Sequence, residues 1–173
     1  MTIIDRYASA VRSSNLRSNP DTTKSDTDVL GAAGLAAKRT PLAMELLRLF
    51  VGDNDNGRKV SMTMADMLSS KAHAIGTHLL RVDAMSISRA VLAWHRDGKC
   101  RACNGLGFKI FDRSPTLSDQ ACHVCRGTTK IPFDPQFDAE HLEIARWLLA
   151  ELEREMAIAG GEAMKSLAPR LDL

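Results

Sequence analysis

Two short stretches hold the residue types best suited to chemistry. Cys100-Arg-Ala-Cys103-Asn-Gly-Leu-Gly107 and Cys122-His-Val-Cys125-Arg-Gly-Thr-Thr129 are two copies of one pattern, C-x2-C-x-G-x-[GT], with 18 residues between Cys103 and Cys122. A C-x2-C turn lets two thiolates converge on one metal ion. The glycine two residues later permits positive φ, so backbone amides can fold under the sulfurs. Two such knuckles complete a tetrahedron. Four thiolates with no open position are the ligand set of a structural zinc, because a catalytic zinc keeps one place for water. One structural Zn2+ on Cys100, Cys103, Cys122 and Cys125 is therefore expected, although four sulfurs also suit iron. A redox C-x-x-C would call for one motif at a helix start, not two matched knuckles.

Nothing else in the chain forms a reactive set. His73, His78, His95, His123 and His141 show no mutual metal or catalytic spacing, and His123 is not needed as a ligand beside four cysteines. No nucleophile elbow, phosphate loop or nucleotide-binding glycine fingerprint occurs. The acidic run 52–57 lacks the Gly and Glu that a calcium loop needs at its fixed positions, and reads as a turn. Neither catalysis nor a small-molecule substrate is expected.

The charge around the knuckles points to a partner. Lys99, Arg101, Lys109, Arg113, Arg126 and Lys130 stand against only Asp112 and Asp119, an excess that a Zn(Cys)4 centre of charge −2 partly offsets. Residues 71–130 sum to +6 and residues 131–173 to −5, within a net charge of +2. A basic middle and an acidic end suggest a polyanion on one face and a basic protein surface on the other. Aromatic residues make up only 5% and offer no obvious platform for stacking bases.

The elements that must hold the knuckles read mainly as helices. With 173 residues, 45% hydrophobic and 25% charged, the chain has globular proportions. No apolar run approaches a membrane span, and no secretory leader is evident, so a cytoplasmic location and no membrane partner are expected. Residues 12–28 are nearly free of large apolar groups and read as the main part of a flexible arm over 1–28. Ahead of them, Ile3, Ile4, Tyr7 and Val11 could line a short helix. Thr27 or Asp28 can cap a helix over 29–37, and Thr40-Pro41 is a start signal for one that ends near Val51 with Leu42, Leu46, Leu49 and Phe50 inward.

Ser61 is expected to cap a helix carrying Met62, Ala65, Met67 and Leu68, with a further helical stretch holding Ile75, Leu79 and Leu80. Ile87, Ala90, Val91 and Trp94 give 86–96 an apolar face opposite Ser88, Arg89, His95 and Arg96. Arg81-Val-Asp83 between helices permits a helix-turn-helix. Phe108 onward reads as a two-stranded ribbon between the knuckles. Last, Asp138 caps a helix with a stripe of Leu142, Ala145, Leu149, Leu152 and Met156, which Gly160-Gly161 should stop. The expected fold is a small helical domain with an inserted Zn(Cys)4 zinc-ribbon module: helices over 29–98, the module over 99–131, and a C-terminal helical segment over 132–173 packing back on the first part.

Ser25-Asp-Thr-Asp-Val-Leu-Gly-Ala-Ala-Gly-Leu-Ala-Ala37 resembles the T-D-V-x-A-A-x-G-x-A stretch of the late-gene antiterminators of the lambda Q type. The C-R-x-C-x-G-x-G and C-x-x-C-[RK]-G knuckles, with Pro132 close behind, and the order of arm, helices, zinc module and helices are similar too. The resemblance implies a DNA-binding transcription factor that loads at a late promoter onto paused bacterial RNA polymerase with its sigma factor and promotes terminator read-through. It places the zinc on the four cysteines. Charge alone suggests Arg89, Arg96, Lys99 and Arg101 as DNA contacts. The other reading is a zinc-knuckle protein-binding adaptor or chaperone-like module that never touches DNA. J-type chaperones share the C-x-x-C-x-G-x-G pattern, but use four knuckles where this chain has two.

Overall fold

A computed structural model describes residues 9–11, 31, 34, 40–50, 52–111 and 116–167. The arm over 12–28, residues Ile3, Ile4 and Tyr7, and most of the helix expected over 29–37 lie outside these. Four helices form the main body: α1 (Pro41–Phe50), α2 (Asn56–Ala74), α3 (Arg81–Asp97) and α4 (Ala139–Leu167). Between α3 and α4 runs the cysteine module with a two-stranded antiparallel ribbon, β1 (Phe108–Ile110) and β2 (Leu117–Ala121), then a short 3-10 turn (Asp134–Gln136). The protein is mainly helical with an inserted four-cysteine module, as expected. No helix of the described residues is long and apolar enough to cross a membrane.

Pro41 opens α1, where its fixed φ suits a first helical position and its missing N–H costs nothing. Leu42, Ala43, Leu46, Leu47 and Leu49 are buried, while Phe50 is half-buried and stacks on His95 at 5.6 Å between ring centroids. The turn at 52–55 is plain, and α2 begins earlier than its serine suggested. The side-chain amide of Asn56 donates to the Glu45 carbonyl at 2.7 Å and ties the start of α2 to α1. Ser61 therefore lies inside α2, with its hydroxyl donating to the Gly57 carbonyl at 2.9 Å rather than capping. The buried face is Val60, Met64, Ala65, Leu68 and Ala72, and Met62 points outward at 42% exposure.

α2 does not continue through Ile75. Gly76 adopts φ 71°, its amide bonds the His73 carbonyl, and the Thr77 amide reaches back to the Ala72 carbonyl at 2.9 Å. This paired 5→2 and 6→1 closure ends the helix and sends 77–80 out extended. Arg81-Val-Asp83 consequently form the first turn of α3, and the α2–α3 link is 75–80, longer than a typical helix-turn-helix turn of about 3–4 residues.

α3 buries Ala84, Ile87, Ser88, Val91 and Leu92 and packs most extensively on α2. Ser88, expected on the polar face, is fully buried. Its side chain is small enough to be enclosed, and its hydroxyl has no hydrogen-bond partner among the described residues. Ala90 and Trp94 are half-buried.

α4 closes the bundle against α1, α2 and α3. Its buried stripe is Ile144, Ala145, Leu148, Leu152, Ala159 and Ala163, rotated from the expected one so that Leu142, Leu149 and Met156 sit at its edge. Gly160-Gly161 do not stop it. Ala159 packs with Ala43 of α1, both essentially buried, and that contact two turns before the end, with Ala163 beyond it, holds the glycines in helix. Its outer face carries an ion pair of Arg154 with Glu151, and Arg146 pairs with Asp134 of the preceding 3-10 turn.

A Cβ added at Gly160 or Gly161 meets nothing within 4 Å. Gly160→Ala with Gly161→Ala should therefore raise unfolding free energy by about 0.5–1 kcal/mol per site, measured by chemical denaturation. If α4 ended at the glycines, the double variant would be neutral or worse.

His95 is half-buried beside Phe50 of α1, and its Nδ1 is enclosed without a hydrogen-bond partner. Burial holds its pKa below the usual value, with Glu153 pulling it up and Lys130 pushing it down. A histidine with a depressed folded pKa makes the unfolded chain the better proton binder, so stability is lost as pH falls below about 6.5. The stability of the wild type relative to His95→Gln should decline between about pH 7 and 5.

Candidate metal centre

The two knuckles have the same backbone. Positive φ occurs at Asn104 (54°), Gly105 (76°) and Gly107 (80°), and again at Arg126 (50°), Gly127 (90°) and Thr129 (67°), the corresponding three places after each second cysteine. The hydrogen bonds between the knuckles are reciprocal as well. The Cys100 amide donates to the Thr129 carbonyl at 2.9 Å, and the Cys122 amide to the Gly107 carbonyl at 2.7 Å. The sequence duplication thus folds into a pseudo-twofold pair in which each knuckle ends on the start of the other.

This symmetry brings the four sulfurs together. All four Sγ atoms lie within 4.8 Å of one another, and Cys100, Cys122 and Cys125 are buried with Cys103 half-buried. The Cys100–Cys122 and Cys103–Cys125 separations are 3.9 and 3.6 Å. A tetrahedron with metal–sulfur bonds of about 2.3 Å has edges of about 3.8 Å, which these two separations match, so the four thiols are close enough to hold one metal ion. Among the described residues this is the one group of three or more His, Cys, Asp and Glu close enough to hold a metal. His123 is exposed and outside it.

Backbone amides face the sulfurs. Gly107 donates its N–H to Cys103 Sγ at 3.3 Å. Burial disfavours a thiolate at Cys103, but the Gly107 amide and the thiols of Cys125, Cys100 and Cys122 outweigh it and hold that group down to about 6. At Cys125 burial dominates over the amides of Gly127 and Thr129 and pushes the thiol up to about 11. The four thiols titrate together, and an arriving cation's own field would assist their ionisation.

The module is moored to the bundle at its neck. Lys99 and Lys130 form an antiparallel bridge, and the Ile131 amide donates to the Gly98 carbonyl at 2.8 Å. Trp94 of α3 donates its indole N–H to the Ile131 carbonyl at 2.9 Å, carries the Lys130 ammonium 4.9 Å above its ring, and meets Phe133 edge-on at 5.1 Å. In the sequence Trp94 reads only as core, and no local pattern marks a side chain whose partner is 37 residues away.

The four basic residues singled out for DNA do not form a cluster with the sulfurs. Arg89 and Arg96 are exposed on α3, two turns apart, and Arg96 donates to the Asn54 side chain at 2.8 Å. Lys99 and Arg101 are exposed on either side of Cys100. Arg101 lies 3.8 Å from Asp97, and the Lys99 stem crosses Gly105 so closely that a Cβ there would meet it at 2.8 Å.

Gly107 and Thr129 are equivalent positions with different tolerances. A Cβ at Gly107 would come 2.8 Å from the Gly127 carbonyl oxygen, so Gly107→Ala should weaken metal binding by about 10–100-fold in competition with a chromophoric chelator. Thr129→Gly removes a side chain from a left-handed conformation costing about 1–2 kcal/mol, and should bind metal at least as well as wild type. Equal weakening in both variants would contradict this difference in tolerance. No family model, curated protein or solved structure matches the chain.

Proposed function

We propose that the chain is a late-gene antiterminator of the lambda Q type. It binds promoter DNA, joins bacterial RNA polymerase holding its sigma factor at a pause, and promotes passage through terminators. The metal in this reading is one structural Zn2+, and no catalytic step is involved. The observation that carries the DNA part is the outer face of α3, where Ser86, Arg89, Ala93 and Arg96 are exposed at helical spacing. Ala93 between the two arginines and Ser86 before them are small and allow the helix to approach a groove while the guanidinium groups reach phosphates or base edges. Lys99 and Arg101 extend the positive charge from the end of α3 into the first knuckle, so the metal would fix the second half of that surface relative to the first. The antitermination part rests on the resemblance in the 25–37 stretch and in the knuckles.

The zinc adaptor reading draws instead on the apolar side chains that the ribbon leaves exposed. DNA binding separates the two.

Arg89→Ala, Arg96→Ala, Lys99→Ala and Arg101→Ala combined should weaken binding to DNA from the promoter nearest the gene and flatten its dependence on salt, by a slope of about one for each phosphate no longer neutralised. Unchanged affinity in a gel shift contradicts the assignment of these residues. Transcription from that promoter through a strong terminator tests the activity. Read-through that needs both the protein and the promoter sequence is expected, and its absence with folded, metal-loaded protein contradicts the reading.

A further inference from the structure

Where the first turns of α4 meet the end of α2, the helical bundle leaves a hollow of about 210 Å³. Its apolar walls are Ile75 and Leu79 from the α2–α3 link and Ile144 and Trp147 from α4. Ile144 is buried, Leu79 and Trp147 are half-buried against the core, and Ile75 is 53% exposed. The hollow therefore opens from the edge of the core to solvent. A cavity of roughly 150 Å³ takes a benzene ring, whereas small-molecule sites run to about 300–1,000 Å³. This size suits one large apolar side chain. Beyond Trp147 the groove between α2 and α4 continues, open, past Met67 and Ser70, which gives room for the polypeptide that carries such a side chain.

The carboxylates around the hollow decide what kind of polypeptide that is. Glu140 and Glu143 line it, and Asp83 and Asp138 line a second hollow of about 190 Å³ that shares His141 with the first. None of the four makes an ion pair with a described residue. Lys71 is the one ammonium or guanidinium in either wall, and it lies 5.4 Å above the Trp147 ring. The remaining titratable side chains there are His78 and His141. The start of α4 favours acids at 138 and 140 whether or not anything binds, but their field has the same sign for any occupant. It repels a polyanion or an anionic lipid surface and attracts Lys and Arg.

We infer that this hollow is a docking site for a protein segment that inserts one large apolar side chain against Ile75 and Trp147 and sets Lys or Arg beside Glu140 and Glu143. The apolar side chain supplies the contact area, and the carboxylates select against neutral or acidic segments. The inference makes no use of the antitermination reading.

The test is a random peptide library displayed on phage and selected on the full metal-loaded chain, with Glu140→Lys/Glu143→Lys as the counter-target. Both changed residues are exposed and without an ion-pair partner among the described residues, so the variant should fold and keep its metal. Ile75→Ser provides a second variant that alters the apolar wall and leaves the charges in place. Recovered peptides should carry a large apolar residue close to Lys or Arg, and should bind either variant about tenfold or more weakly than wild type. Failure to enrich peptides over the counter-target, recovery of peptides without basic residues, or undiminished binding by Ile75→Ser overturns the inference. So does a self-association that both variants abolish, since a second copy of the chain would then be the occupant.

Discussion

Among its described residues the cysteine module has no hydrocarbon core, so its structure depends on four thiols meeting at one point. Its buried cluster consists of Cys100, Cys122 and Cys125, with Cys103 and Ile131 packed against them. The apolar side chains that would normally form an interior, Phe108, Ile110, Phe111 and Leu117, lie outside it. A metal ion held between the thiolates would supply the cohesion that buried area cannot, as in small metal domains that couple binding to folding. The pseudo-twofold backbone serves this need. Three positive-φ residues per knuckle turn the amides inward, and reciprocal bonds lock each knuckle to the other.

Rigidity then passes outward through the neck. Paired Lys99 and Lys130, and the Trp94 indole on the Ile131 carbonyl, hold the module against α3. In the proposed function this joint keeps the cations beside Cys100 at a set distance from those on α3. Without it, Arg89 and Arg96 would remain on their helix while Lys99 and Arg101 would move away from them. A metal with no catalytic part in the proposed function would nevertheless control the DNA-facing surface.

The parts of the fold legible from sequence were those fixed by local chemistry. Duplicated cysteines and glycines marked the knuckles, Pro41 marked the start of α1, and heptad-like spacing marked α3 and α4. The errors arose where a tertiary contact outweighed a local preference. Ser61 prefers a cap by about 1 kcal/mol, but the Asn56 amide on α1 starts the helix a turn earlier. Gly160-Gly161 prefer a stop, but Ala159 against Ala43 and buried Ala163 continue the helix. Ser88 looked polar by type, and its small volume placed it inside. Gly76 was a readable stop signal that the apolar spacing of Ile75, Leu79 and Leu80 obscured. At the metal centre the ligands were legible, but the joint at Trp94 was not, because nothing near it in sequence names its partner.

The central claim is that one metal held by all four thiolates organises the inserted module. X-ray absorption at the zinc edge, on protein purified without added metal and weighed intact under native conditions, tests it most directly. The account predicts one zinc per chain with four sulfur neighbours at about 2.3 Å and no nitrogen or oxygen ligand. A folded chain without metal, or a zinc coordinated by fewer than four sulfurs, would contradict it.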